Sequence, residues 1–316
     1  MPLLDPNRLP DFTQRYYDNP SARLVGRNRA HESFYIDIVR FFGDGTISPA
    51  DIKIKYNPRP YQITDARIKE FALEIEKRLR AEGRLYDGPL AMKIADFRPH
   101  DHQPSITVQP TEYGRFAGSC FALDLEHDLF ANHGGTLREY CKQTCPSNSI
   151  ADNPLAACLG VCGMVLLDNQ STPALLRVKR SGKLASLESS FGPSVSGGVD
   201  YSEKYNNLYD LLQSALAQEI QEEIGLHRGE YTIIPLACAR EILRGEHHQV
   251  FCLIRIDLDR DKLVRRLNGI TGPSCEYESF DFIKMNRDNT LDRDAIESMN
   301  LEGRMNYYLL EEYFAL

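Results

Sequence analysis

The segment from Leu208 to Gly225 constrains the fold more than any other part of this 316-residue chain. Its apolar side chains recur every three or four residues, which is the spacing of one helical face. On a helical wheel with ~100° per residue they fall within one stripe. The stripe consists of Leu208, Leu211, Leu212, Ala215 and Leu216. The segment therefore predicts an amphipathic helix that packs through one face against the protein body.

Three acidic residues lie on that same stripe. With Leu208 at 0°, Glu219, Glu222 and Glu223 fall near about 20°, 320° and 60°. Such neighbours repel by ~0.2–0.5 kcal/mol per pair even on an exposed helix, and they lie at the negative end of the helix dipole. No Lys or Arg lies between Leu208 and Gly225 to compensate. A cation that prefers oxygen ligands removes the conflict, so we expect Mg²⁺, or Mn²⁺ in its place. The alternative is an acidic helix end exposed to solvent. Helical phase alone favours the metal site and the solvated helix end equally.

Strands and helices alternate around this segment. Leu155–Leu167 is almost entirely apolar, which is typical of a fully buried strand. Three more strand candidates and a closing helix share this half of the chain; they are Ala174–Arg180, Tyr231–Cys238, Val250–Leu258 and Met305–Leu316. The alternation predicts an α/β layered fold for residues 151–316.

The first part of the chain has the pattern of a smaller α+β unit. Ser33–Phe42, Asp51–Tyr56 and Leu90–Phe97 have the composition of strands. A helix is predicted from Thr64 or Asp65 to Glu82, followed by Gly83 as its left-handed stop. The polar stretch Gln143–Pro154 is the predicted boundary, with one domain over residues 1–150 and the next over residues 151–316.

Charge and apolar segment lengths argue against several kinds of partner. A net charge of −8 and a pI of about 5.6 disfavour a long polyanion, so we expect no nucleic acid. Leu155–Leu167 is shorter than the ~20 residues that span a bilayer, and the start of the chain does not resemble a signal peptide. The 8 cysteines are too scattered for a disulfide framework. We therefore expect reduced thiols, no membrane partner and a cytoplasmic location.

The segment Gln218–Leu226, read QEIQEEIGL, resembles the core of the Nudix box, REUxEExGU, where U is aliphatic. It departs from that pattern only at Gln218, which stands where Arg is usual. The upstream glycine of the box is matched by Gly197 and Gly198, with about six extra residues between them and the helix. The metal-binding half of the motif is intact.

A more specific likeness extends over roughly residues 50–316. The chain is similar to animal Nudix proteins that hydrolyse UDP-glucose and UDP-galactose. The matching pieces are Thr111–Ser119, Ala151–Leu155, Lys179–Ser181, Gly197–Gly198, the Gln218 variant of the box and Ala239–Arg240. This resemblance implies a Nudix α/β/α sandwich with a mixed sheet, preceded by a smaller β-grasp-like α+β domain.

The same resemblance implies Mg²⁺-dependent hydrolysis of a nucleotide sugar to UMP and a sugar 1-phosphate. Two alternatives stay open. One is a Nudix hydrolase of another small nucleoside diphosphate compound, such as ADP-ribose or a dinucleotide. The other is a non-catalytic module that binds a nucleotide or a protein. The sugar, the base preference and the oligomeric state are left open.

Residue roles follow from the motif and from general chemistry. Metal ligation and water activation are expected of Glu219, Glu222 and Glu223. Substrate contacts are expected of Gly197, Gly198, Lys179, Arg180, Arg240 and Tyr113. The glycines would let the backbone approach a diphosphate, the cations would clamp phosphates, and Tyr113 would stack on a base. Each group also has a purely structural explanation: the glycines could form a turn, the cations could be surface charges, and Tyr113 could be a core aromatic residue.

Overall fold

The computed structural model describes residues 22–27, 33–98, 102–145, 150–168, 173–182, 190–241, 244–245, 247–270, 276–286, 290 and 293–316, with side chains from residue 39 onward. Across these ranges, no helix combines the length and the apolar character that crossing a membrane requires. The seven cysteines within them are free thiols. Cys275 and part of the predicted boundary, residues 146–149, lie outside the described residues.

The described residues form twelve strands and seven α-helices. The strands are β1 (Ala22–Arg27), β2 (Ser33–Phe41), β3 (Lys53–Tyr56), β4 (Ala91–Arg98), β5 (Ser105–Thr111), β6 (Leu159–Leu167), β7 (Ala174–Arg180), β8 (Phe191–Gly192), β9 (Val195–Gly198), β10 (Tyr231–Glu241), β11 (His247–Ile256) and β12 (Tyr277–Lys284). The helices are α1 (Ala66–Ala81), α2 (Tyr113–Cys120), α3 (Leu137–Thr144), α4 (Leu208–Ile224), α5 (Arg260–Gly269), α6 (Arg293–Glu297) and α7 (Leu301–Phe314).

Two sheets organise these elements. The larger sheet has the strand order β1-β2-β10-β11-β6-β7-β12, with β8 added to β7 and β9 added to β6. It is mixed, because β11 and β6 run parallel whereas the neighbouring pairs are antiparallel. The smaller sheet has the order β3-β5-β4.

The larger sheet is covered by helices on both faces. Every residue of β6 is buried, as its continuous apolar run predicts. Successive residues of a strand face opposite sides, so Val161 and Val165 share one core with Leu212 of α4. Met164 shares the other core with Tyr307 of α7. The predicted α/β/α layering around a mixed sheet is therefore confirmed.

The first part of the chain departs from the predicted small unit in one respect. Ser33–Phe41 is a strand, but its residues Ile36–Phe41 pair with Ala237–Glu241 of β10 in the larger sheet. Its assignment to the smaller unit was therefore wrong, since local pattern does not specify a strand's partner. Residues before the predicted boundary contribute to both sheets, and the division at residue 150 stays a prediction.

Helix α1 follows its sequence signals closely. The side chain of Asp65 accepts hydrogen bonds from the backbone N–H groups of Arg67 and Ile68. Gly83 has a φ of 67°, which favours glycine over any residue with a side chain. The apolar face of α1 shares a core with α2 and α3, and this core extends to Ala156–Cys158 at the entrance to β6.

Candidate active site

Helix α4 brings the acidic residues to the larger sheet. Asn207 caps its start by accepting a hydrogen bond from the backbone N–H of Asp210 at 2.9 Å. Gly225 ends it with a φ of 73°. The predicted apolar stripe is buried at Leu208, Leu211, Leu212 and Leu216, and Ile220 and Ile224 extend it. The last two turns of α4 face β9.

Glu223 is the most deeply buried of the three predicted acids, with 6% of its surface exposed. Its Oε2 accepts a hydrogen bond of 3.2 Å from the backbone N–H of Ser196 in β9. Burial, followed by the like charges of Glu219 and Glu276, raises the pKa of Glu223 well above its usual range. The inward orientation that the helical wheel predicts for Glu223 is confirmed.

Glu219 is half-buried and lies against the backbone of β9. A Cβ atom at Gly197 would stand 2.0 Å from Glu219 Oε1. The absence of a side chain at position 197 therefore makes room for this carboxylate. At Gly198, by contrast, a Cβ would meet nothing within 4 Å among the described atoms. The two glycines, predicted to act together, differ in what surrounds them.

Glu222 does not follow the prediction. It is exposed, and its Oε1 accepts a hydrogen bond of 3.1 Å from Gln218 Nε2. At about 320° it lies near the edge of the apolar stripe, where a long side chain can turn out to water. Gln218 is thus bonded to Glu222, one turn later in the helix.

Two further acids join this group. The pKa of Glu219 rises to about 8, first through burial and then through the charges of Glu276, Glu222 and Asp200. Glu276, just before β12, has a pKa raised by burial, which Arg180 opposes and Glu222 reinforces. The pKa of Asp200 is raised by burial and then by the charge of Glu222. Together the five carboxylates of Asp200, Glu219, Glu222, Glu223 and Glu276 form what we call the acidic cluster.

The sequence analysis missed Asp200 and Glu276. Asp200 follows the paired glycines by two residues, which is a local signal for a position at the same site. Glu276 has no such signal. It reaches the cluster because its backbone carbonyl accepts from the N–H of Ser181 at 2.8 Å, which ties the start of β12 to the end of β7.

Successive side chains of β7 point to opposite faces of the sheet, and this separates Arg180 from Lys179. The charge of Arg180 lowers the pKa of Glu219, Glu223 and Glu276, so its guanidinium lies within electrostatic range of the acidic cluster. Its Nε is buried without a hydrogen-bond partner in the described part of the chain. Lys179 instead lies 3.8 Å from Glu278, in a pair about 39% and 47% exposed.

The other predicted substrate contacts lie apart from each other. Arg240 is 4% exposed, stands opposite His248 in the β10–β11 pair, and lowers the pKa of that histidine after burial. Tyr113 is 37% exposed at the start of α2. Partial burial raises the pKa of Tyr113 to about 12, and the charges of Glu276 and Arg180 also act on its phenol. Tyr113 therefore lies within electrostatic range of Glu276, one member of the cluster.

The acidic cluster suits a hard divalent cation in its chemistry, because its donors are all carboxylate oxygens that repel one another. Among the ion pairs formed within the described ranges, none involves Glu219, Glu222 or Glu223. In those ranges, however, no three Asp, Glu, His or Cys side chains stand close enough to hold a metal ion. The ligand type therefore suits a divalent cation, but the carboxylates must move closer together before they can bind one.

Comparison with known proteins gives structural likeness only. No family model and no curated protein matches this chain. It is similar to a C. elegans Ap4A hydrolase with 13% identity and a TM-score of 0.32, over 50% of this chain and 97% of that one. It is also similar to the Nudix domain of NrtR from Shewanella oneidensis in complex with ADP ribose, with 14% identity, a TM-score of 0.32 and coverage of 49% and 84%. A mutT/nudix family protein from Listeria innocua is similar with 15% identity, a TM-score of 0.33 and coverage of 50% and 92%.

Proposed function

We propose that this chain is a Mg²⁺-dependent hydrolase that converts UDP-glucose or UDP-galactose to UMP and a sugar 1-phosphate. The observation that carries the proposal is the acidic cluster, in which two α4 acids, one buried and one half-buried, have raised pKa values and no ion pair among the described residues. The sequence resemblance to nucleotide-sugar hydrolases supplies the reaction and the substrate class.

The chain supplies a base and an anion-binding group for this reaction. Glu219 takes a proton from water, the water oxygen forms a bond to one phosphorus, and the bond from that phosphorus to the bridging oxygen breaks. UMP and the sugar 1-phosphate leave as the two products. Arg180 lies within electrostatic range of the cluster and donates to the phosphate oxygens. With its pKa raised to about 8, Glu219 is a stronger base than an ordinary glutamate in its ionised form, and without a cation it is ionised only in part at neutral pH.

Glu219, Glu222 and Glu223 would hold Mg²⁺, which neutralises charge on the diphosphate oxygens when bound. Glu222 would join the other two acids by turning inward from its contact with Gln218. Tyr113 offers a partly exposed ring in electrostatic range of the cluster, and the uracil ring of the substrate would stack on it. Lys179 and Arg240 are poorer candidates for phosphate contact, because the first lies in a surface ion pair and the second faces His248.

A substrate panel tests the proposal. The purified protein is incubated with Mg²⁺, with Mn²⁺ or with EDTA, and with UDP-glucose, UDP-galactose, ADP-ribose or a dinucleoside polyphosphate. We expect metal-dependent release of UMP and sugar 1-phosphate, measured by anion-exchange chromatography. Turnover of ADP-ribose or the dinucleotide alone would support the alternative substrate class. The absence of turnover with both UDP-glucose and UDP-galactose would overturn the substrate assignment.

A second candidate function is a non-catalytic nucleotide-binding module. The observation that favours it is that no three metal-binding side chains are assembled within the described ranges. Glu223→Gln distinguishes the two functions, because it removes a charge and keeps the shape of the side chain. Turnover by the wild type that disappears in Glu223→Gln excludes the module, whereas nucleotide binding without turnover in both proteins supports it.

A further inference from the structure

Behind Glu223, a chain of hydrogen bonds leads away from the acidic cluster to α7. Ser196 uses both of its donors in this chain. Its backbone N–H donates to Glu223 Oε2 at 3.2 Å, and its Oγ donates to Glu302 Oε1 at 2.9 Å. One residue of β9 therefore joins a predicted metal ligand to the first turn of a helix on the opposite face of the larger sheet.

Glu302 is held firmly and is 1% exposed. Its Oε1 also accepts from Gln249 Nε2 at 2.6 Å, and Arg244 Nη2 lies 3.7 Å from the same oxygen. The absence of a side chain at Gly160 makes room for this arrangement, because a Cβ there would stand 2.0 Å from Gln249 Oε1. Glu302 Oε1 thus has two hydrogen-bond donors and a guanidinium nearby, whereas Oε2 is buried without a hydrogen-bond partner among the described residues.

The start of α7 is anchored so that Glu302 meets Ser196. The backbone N–H of Asn300 donates to the carbonyl of Phe191 in β8 at 2.6 Å, and its side chain accepts from the N–H of Gly303 at 2.9 Å. A Cβ at Gly303 would stand 3.2 Å from the backbone carbon of Gly192, so the helix approaches β8 closely. These contacts fix the helix end independently of the acidic cluster.

We propose that Glu302 is a positioning residue that orients Glu223 for metal binding through Ser196. This inference rests on the proposed function and deepens it, because it makes α7 part of the active site. A buried ligand that has one backbone hydrogen bond is only as well placed as the strand that donates it. The Ser196–Glu302 bond adds to the pairing with β6 that holds β9 at that point, and so helps to set the carboxylate of Glu223.

A matched pair of substitutions isolates the hydroxyl group. Ser196→Thr and Ser196→Val have nearly the same shape and both suit a strand, but only threonine keeps the donor to Glu302. Mn²⁺ affinity is measured by calorimetry on the otherwise intact chain, without substrate. We expect Ser196→Val to bind Mn²⁺ about 10-fold more weakly than Ser196→Thr, as for other residues that support metal ligands.

The partner is tested by a double-mutant cycle. In a Glu302→Met background, where the acceptor is lost, the threonine and valine variants are expected to bind Mn²⁺ equally. Glu312→Gln, ten residues further along the same helix, serves as the matched control and is expected to leave Mn²⁺ affinity unchanged. Unfolding temperatures of the metal-free proteins, measured in parallel, report any general loss of stability.

The outcomes separate this inference from the proposed function. A wild-type protein that takes up no Mn²⁺ overturns the proposed function, and this inference with it. A wild type that binds Mn²⁺ while Ser196→Val binds as tightly as Ser196→Thr overturns the positioning role alone. Variants that lose only thermal stability, with unchanged Mn²⁺ affinity, also overturn it.

Discussion

The carboxylate of Glu219 occupies the space in which a side chain at Gly197 would begin, with Oε1 only 2.0 Å from the ideal Cβ position. A side chain at this position would therefore displace the carboxylate of Glu219, whatever the substrate does. The neighbouring Gly198 has open space around its own Cβ position in the described structure. This difference turns a glycine pair that looks uniform in the sequence into two distinct positions.

Gly197→Ala is expected to displace Glu219 and lower kcat by ~100-fold, since a shift of about 1 Å in a catalytic group has effects of that size. Gly198→Ala is the matched control for the contact with Glu219, and its Mn²⁺ affinity is expected to remain within about threefold of the wild type. Steady-state kinetics with UDP-glucose and calorimetric Mn²⁺ binding check both variants. Equal Mn²⁺ affinity of the two variants would contradict the assigned contact.

Glu223→Gln is expected to abolish metal-dependent turnover and also to stabilise the metal-free protein. The physical reason is that burial and two neighbouring carboxylates disfavour the charge of Glu223 when no cation is bound. A change of 1 kcal/mol corresponds to about 2–4 °C in a domain of this size class. Differential scanning calorimetry should show a higher Tm than wild type without metal and a smaller rise with Mn²⁺. A lower metal-free Tm would count against the acidic cluster as a strained site.

Arg180→Met is expected to lower kcat/KM by about 10–100-fold, because a charged hydrogen bond to phosphate contributes ~1.5–3 kcal/mol. Lys179→Met, one residue earlier on the outer side of β7, is expected to change kcat/KM by about twofold or less, since exposed ion pairs are weak. Kinetics with UDP-glucose at saturating Mg²⁺ measure both. A larger effect at Lys179 than at Arg180 would reverse the assignment of the two side chains.

The buried side chain of His248 is expected to lower the free energy of unfolding in mild acid. Burial, then the charges of Arg240, Lys93 and His247, hold its pKa well below the usual value, and both ring nitrogens are buried without a hydrogen-bond partner in the described structure. Below pH ~6.5 the unfolded chain binds a proton that the folded chain does not, so stability falls as the pH falls. Between pH 7 and pH 5 this contribution is about 2 kcal/mol.

His248→Leu removes both the titration and the two unpartnered nitrogens. Urea unfolding at pH 7 and pH 5 should therefore show a pH dependence smaller than that of the wild type by about one proton. His102→Leu, at an exposed position, is the control and is expected to keep the wild-type slope. Identical slopes in the His248 variant and the wild type would show that His248 binds its proton equally in the folded and unfolded protein, which would contradict the prediction.

Local periodicity was enough to predict helix α4 and the approximate positions of most strands. The stripe from Leu208 to Leu216 is buried as predicted, because helical spacing alone decides which side chains share a face. The burial of every residue in β6 follows in the same way from its unbroken apolar run. The placement of Glu219 and Glu223 toward the protein body also follows from helical phase.

Tertiary structure decided which distant residues meet. Glu276 reaches the acidic cluster through the β7–β12 pairing, and Glu302 reaches Ser196 because α7 docks on β8. Packing decided which face of β7 is turned toward the carboxylates, and so that Arg180 rather than Lys179 acts on them; it also decided that β2 pairs with β10. Sequence pattern specifies the faces of an element, whereas partner and register depend on packing between segments far apart in the chain.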